Sequence, residues 1–274
     1  MNLADSADVF AANRAHGRID LTVAAADGVT RSVRLREEGS LRMRFPNPPR
    51  GGLEGVVVNT AGGAAGGDRF SLRIGVGPGA AMTVTTASAE KVYRSLGPPA
   101  KISVALEVAT GGRLVWLPQE TIVFDRAKLL RSFDVELAQD SSIVLAEAIV
   151  FGRSASGEQV EEGSLIDRWR VRREGRLIFA ETLRLNGAIA QKLAEPAITG
   201  GGAAIATILI SPGDAVQADA VRALADRFGG EVGASCWNGL CLMRFCAQNG
   251  ARLRDDLTLV LAALRVALPR LWLN

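Results

Sequence analysis

The chain has 274 residues, of which 48% are hydrophobic and 22% charged, with a formal net charge of +3. That is enough apolar content for a sizeable core and argues against wholesale disorder. A mild excess of bases with both signs mixed, and only 5% aromatics, argues against the strongly basic, base-stacking surface of a nucleic-acid binder.

Residues 1–16 read as a flexible tail at the start of a single domain spanning 1–274. The tail lacks the basic start and apolar run of a secretory signal. It ends on His16, the only histidine, so a histidine triad, zinc site or general base must use that residue or is absent. A solvated side chain is the expected reading. No apolar run is long enough to span a membrane, and 3 cysteines, all late in the chain, make no disulfide framework. Together these features point to a soluble cytoplasmic protein.

From residue 18 to residue 211 the chain reads as β. RIDLTVAA (18–25), TRSVRLRE (30–37), LRMRF (41–45), GVVVNT (55–60), FSLRIGV (70–76) and AMTVTTAS (81–88) alternate and are separated by Gly, Pro, Asp or Asn. KISVALEVA (101–109), LVWLP (114–118), LLRSFDVEL (129–137), SIVLAEAIVFG (142–152), DRWRVRR (167–173), RLIFAETLRL (176–185) and AAIATILIS (203–211) continue the pattern. The rhythm predicts a large sandwich, barrel or stacked-sheet assembly of short strands.

The loop NTAGGAAGGDRF (59–70) interrupts this rhythm. Gly62 and Gly67 have P-loop spacing, but Asp68 and Arg69 stand where that motif needs Lys and a hydroxyl, and a strand follows instead of a helix. The expected role is a close backbone crossing, which explains the glycines but not Asp68.

Glu120, between Trp116–Leu117 and Ile122, is an acid in an apolar setting. Glu147 shares strand parity with Ile143, Leu145, Ile149 and Phe151, while the opposite parity is also apolar, so it is expected inside. A buried carboxylate needs a partner, a metal or a raised pKa. An ion pair with Arg153 or Arg94 is one reading, and a weak oxygen ligand for a divalent cation is the other. Arg168, Arg170 and Arg172 lie on one strand face, opposite Trp169 and Val171, as a solvated face or a dock for an acidic partner.

Two helices are expected near the C-terminus. SPGDAVQADAVRALADRFGG (211–230) has Ser211 as N-cap, Pro212 at the first position and a Val216, Ala220, Leu224, Phe228 stripe. DDLTLVLAALRVALPR (255–270) ends at Pro269. Between them a hairpin turning on Asn238-Gly239 would place Cys236 opposite Cys241 and Trp237 opposite Leu240. Two reduced thiols are favoured there over a metal-binding or oxidised pair. No Ser-His, Cys-His or paired-carboxylate motif emerges.

Four stretches together resemble the urease accessory protein family UreD, also called UreH: NTAGGAAGGDRF (59–70), TTASAEKVYRS (85–95), WLPQETIVFDRA (116–127) and EAIVFGRSASGE (147–158). The closing LPRLW (268–272) is also similar. Ala64, Ala65 and Glu90 depart from the usual pattern without removing a motif residue. The resemblance implies a β-rich stack with a few helices and a non-enzymatic maturation factor. It implies partners: urease apoprotein, the accessory proteins F and G (G being a GTPase), and accessory protein E as nickel supplier, with no nucleic acid or membrane. No tightly bound cofactor is expected, only Ni²⁺ in transit through an internal channel, which Asp68, Glu120 and Glu147 would line. Gly66, Gly67, Lys91, Tyr93, Arg94 and Arg153 are then motif residues that order the crossing or face a partner. The rival readings are a β-rich ligand-binding or structural module unrelated to nickel, an enzyme acting on an acidic substrate at the glycine loop, and, last, a nucleic-acid binder.

Overall fold

A computed structural model describes residues 13–46, 52–153 and 157–273. Two sheets face each other, and the chain passes repeatedly from one to the other. In the first sheet, β1 (His16–Ala26) and β2 (Val29–Gly39) form a hairpin. β3 (Leu41–Arg44) and β4 (Leu53–Asn59) then pair in the second sheet. From here β5 (Arg69–Val76), β8 (Ala100–Val108) and β11 (Lys128–Leu137) lie in the first sheet. They alternate along the chain with β6 (Ala81–Thr86), β9 (Arg113–Trp116) and β12 (Ser142–Phe151) in the second. Successive strands within each sheet are parallel. Each pair of strands is thus one coil of a β-solenoid-like stack, one of the assemblies that the strand rhythm left open and the one that the family resemblance implied. β7 (Glu90–Val92) and β10 (Thr121–Val123) widen the second sheet beside β12.

The last coil closes with β13 (Glu162–Arg173) and β14 (Arg176–Ala188) on the edge of the first sheet, followed by a short helix α1 (Ile189–Ala194). β15 (Ala204–Ser211), β16 (Glu231–Trp237) and β17 (Leu240–Ala247) complete the second sheet as antiparallel strands. One apolar cluster, including Ile19, Leu106, Phe133, Leu145 and Trp169, fills the space between the sheets. A second lies on the outer face of the second sheet. There Ala146, Ala148, Ile208 and Met243 pack under α2 (Ala215–Arg222) and α3 (Gly250–Ala263). This is why both parities of β12 are apolar.

Several expectations change in detail. His16 opens β1 instead of closing a tail, and Ala15 is already hydrogen-bonded; residues 1–12 lie outside the described residues. Asp214, not Ser211, caps α2, because the Ser211 hydroxyl at the end of β15 is engaged with Arg173 and with the carbonyl of Gly239. That helix stops at Arg222 and buries Ala218 and Val221, while Val216 of the expected stripe is exposed. α3 starts earlier than expected, capped by Asn249, and α1 was not anticipated. The hairpin register puts Cys236 opposite Cys241 as expected, but the two sulfurs are bonded instead of free. Arg168 and Arg172 pair across strands with Asp134 and Glu136, and Arg170 donates to the carbonyls of Trp169 and Glu181, so two of the three charges in that row are balanced by acids on the outer face.

The glycine loop crosses closely over the segment before β8. A Cβ on Gly66 would lie 1.9 Å from Ser95 Oγ and 2.8 Å from the carbonyl oxygen of Pro98. Ser95 cannot move aside, since its hydroxyl donates to Pro98 and accepts from the Gly97 amide. Gly62, at φ +77°, has open space around it. Gly66→Ala is therefore expected to cost about 2–4 kcal/mol of stability, and Gly62→Ala only the left-handed backbone penalty of about 1–2 kcal/mol. Denaturant unfolding of the two variants checks the order.

Candidate functional site

The β11–β13 register sets Arg131 beside Asp167 on the inner face of the first sheet. Across the gap, Glu147 of β12 projects from the inner face of the second sheet, as its parity indicated. Its partner is Arg131, not Arg153 or Arg94: Arg131 Nη1 donates to Glu147 Oε2. Nη2 donates to Asp167 Oδ2 at 2.7 Å, Nε to Asp167 Oδ1 at 3.1 Å, and Nη1 also to Thr121 Oγ1 at 3.0 Å. Trp116 Nε1 donates to Glu147 Oε1 at 2.7 Å and Trp169 Nε1 to Asp167 Oδ2 at 3.2 Å. Arg131, Asp167 and Glu147 are only 3%, 5% and 7% exposed.

Burial pushes the Glu147 carboxyl up to about 7; the Arg131 charge opposes this and the Asp167 charge adds to it. Burial disfavours the Arg131 guanidinium, but the charges of Asp167 and Glu147 outweigh it and hold Arg131 more firmly protonated than usual.

Glu147 and Asp167 form part of the wall of a cavity of about 480 Å³ between the sheets. Ile149, Leu183, Leu185, Leu193 and Ile205 supply apolar walls, and Glu181, Glu231, Arg244 and Cys246 add polar groups. Strand register explains the grouping. One row of the second sheet runs Glu147, Thr207, Arg244, and its neighbour runs Ile149, Ile205, Cys246, Glu231. Glu181 and Arg244 join the sheets through two hydrogen bonds of 2.7 and 2.9 Å. Burial and the Glu231 charge push the Cys246 thiol up, which keeps it a poor soft ligand near neutral pH.

The other sequence-predicted acids lie elsewhere. Asp68, 4% exposed, staples the glycine crossing: its carboxylate accepts the Ala15 amide at 2.9 Å and the Ala65 amide at 2.7 Å. Glu90 stands close enough to feel the Asp68 charge and is itself pushed up to about 7 by burial, against its hydrogen bond from Asn59. Glu120 is half-buried and paired with Arg254 of α3 at 3.3 Å, beside the stretch where Trp272 donates to the Leu117 carbonyl. Asp68, Glu120 and Glu147 do not converge, and no group of three His, Cys, Asp or Glu among the described residues stands ready to hold an ion.

The remaining motif residues surround the crossing. Tyr93 donates to the Gly62 carbonyl at 2.9 Å and meets Phe124 edge-on; Arg153 pairs with Glu158 and lies over Phe124. A Cβ on Gly67, at φ +91°, would press on the Arg14 side chain. Lys91 and Arg94 are exposed. His16 is also exposed. Residues 154–156 of the fourth motif lie outside the described residues.

Sequence reasoning missed Arg131 and Asp167, although a signal existed. Arg131 has the strand parity of Leu129, Phe133 and Val135, and Asp167 that of Leu165, Trp169 and Val171. A charge of each sign at apolar parity in neighbouring strands marks an internal pair.

A family model described as UreD urease accessory protein matches residues 15–273. Relatives named Urease accessory protein UreD include one from Rhodopseudomonas palustris (strain BisA53), 56% identical over 272 residues and covering 99% of this chain and 95% of that protein. Another, from Bradyrhizobium diazoefficiens, is 55% identical over 272 residues and covers 99% of both. A third, from Rhodopseudomonas palustris (strain HaA2), is 56% identical over 272 residues, covering 99% and 97%.

A carboxyl raised by folding binds its proton more tightly in the native state than in the unfolded chain. Its contribution is present below the ordinary value of 4.5 and is lost as pH rises to about 7. Glu147→Gln, which keeps the shape and stays neutral, is expected to flatten the decline of stability across that window. Glu90→Gln should flatten the share that Glu90 contributes over the same range. Denaturation midpoints measured against pH for both variants check this; an unchanged slope in each would contradict it.

Proposed function

We propose that this chain, which belongs to the UreD family of urease accessory proteins, is a non-catalytic maturation factor through which nickel passes on its way into the urease active site. In this reading it binds urease apoprotein together with accessory proteins F and G, accepts nickel supplied by accessory protein E, and supports insertion driven by GTP hydrolysis on G. Nickel is cargo, not a resident cofactor.

The observation that carries the reading is the cavity between the sheets, with two buried carboxylates in its otherwise largely apolar wall; among the described residues no set of three ligands is assembled there. A divalent ion in a dry passage needs oxygen donors to replace water, but too few of them at any point to be held. Glu147 and Asp167 offer such donors, and Glu181 and Glu231 do so at other points of the lining. The scarcity of imidazole and of ionised thiol removes the ligands that would trap nickel. Asp68 and Glu120 stand outside the cavity. In this proposal they are handover points at the glycine crossing and at the α3 contact.

Urease co-expressed with the other accessory proteins should lose nearly all its nickel when this chain is omitted, as metal analysis per active site would report. Glu147→Gln and Asp68→Asn chains that still fold and bind their partners should restore only part of it. Urease fully loaded without the chain would overturn the reading and favour a β-rich module unrelated to nickel.

A further inference from the structure

Arg131 is bonded to the two buried carboxylates but does not itself line the cavity. The acids therefore face the cavity, and the guanidinium sits behind them. We propose that Arg131 is a built-in counterweight that keeps Glu147 and Asp167 weak, releasable ligands for a divalent cation. This rests on the nickel-transit reading above.

The charge arithmetic carries the argument. With both carboxylates ionised, which for Glu147 means above about pH 7 or after an incoming cation has displaced its proton, one guanidinium leaves a single surplus negative charge. A dipositive ion entering from the cavity is attracted, yet its arrival leaves the buried cluster with one net positive charge. Without Arg131 the same two carboxylates would neutralise the ion completely, in a setting where water screens little. Geometry supports this. The guanidinium engages Asp167 through both of its oxygens and Glu147 through one, while Trp116 and Trp169 fix the same carboxylates from their sides. Both Glu147 oxygens and Asp167 Oδ1 accept one bond each and keep a lone pair for an ion, whereas Asp167 Oδ2 already accepts two; the carboxylates are anchored and cannot close around it. Among the described residues, the other charged groups lining the cavity are Glu181 and Arg244, paired with each other, and Glu231. None of them duplicates the role of Arg131.

The test uses the full chain, metal-free, as wild type and as Arg131→Met, titrated with nickel chloride in equilibrium dialysis and melted with and without nickel. The wild type should release nickel on gel filtration. Arg131→Met should retain about one nickel per chain, bind it at least about tenfold more tightly, and melt higher with nickel. Adding Glu147→Gln should abolish that gain. A merely structural arginine would lower the melting point without creating a nickel dependence. Equal nickel binding by Arg131→Met and wild type would overturn the proposal.

Should Arg131→Met fail to fold, Arg131→Gln decides. Glutamine removes the charge but keeps a side-chain amide that can donate to the acids. Retention above the wild type supports the proposal and wild-type retention overturns it. Co-expression separates the two levels. Urease loaded without any chain removes the transit reading and leaves no cargo to release. Urease that needs the chain but is filled normally through a variant with unchanged nickel binding removes this inference alone.

Discussion

The bonding of Arg131 between two buried carboxylates is the constraint around which the two sheets are aligned. Arg131 and Asp167 come from the first sheet, Glu147 and Thr121 from the second, so one guanidinium ties four strands, β10 to β13, and both layers. A slip of one residue in β11 would turn Arg131 to solvent and bury Leu130 or Ser132 in its place, leaving two acids without a counter-charge. Parallel coils built from similar Val, Leu and Ile rows would otherwise tolerate alternative registers. A single ionic contact across the gap removes that freedom.

The surroundings make the contact strong. Trp116 meets Phe133 edge-on, Phe133 packs against Trp169, and Trp169 leads on to Phe179 and Trp237. This row of rings excludes water from one side of the cluster, and both indole N–H groups of its inner members are spent on the carboxylates. The aromatic residues are few, but several of the largest stand where they lower the dielectric around the charges and satisfy their hydrogen bonds.

Much of this was legible from local pattern. Alternation located the strands, the Asn238-Gly239 turn set the register of the last hairpin, and parity turned Glu147 inward. What a single strand cannot reveal is its neighbour. Each segment between β4 and β13 alternates in the same way whether it pairs antiparallel with the next segment or parallel with the one after. Nothing in LLRSFDVEL says that Arg131 will meet Asp167 on a strand more than thirty residues later. The ends of α2 were misread for a related reason. Ser211 and Asp214 are both good caps, and the choice between them was made by Arg173 and Gly239, which claim the serine. The three acids chosen from the motifs differ in burial and in environment, Asp68 and Glu147 being buried and Glu120 half-buried. Asp68 is a backbone staple, Glu120 a partner of α3, and only Glu147 faces the space between the sheets.

Stability alone does not account for charges in that space. A buried ion cluster carries a desolvation cost that well-packed apolar side chains of similar size avoid, and the rest of the gap between the sheets is filled in that cheaper way by residues such as Leu106, Leu145 and Leu165. The cluster also sits where the packing opens into a cavity lined by further acids, not at the centre of the apolar core. Those two facts favour a role for the exposed side of the carboxylates. For a cargo that has to leave again, the useful property is a donor held in place with its charge partly cancelled. Two acids fixed by indoles and backed by one guanidinium have that property, whereas a free pair of acids would close on the ion and keep it.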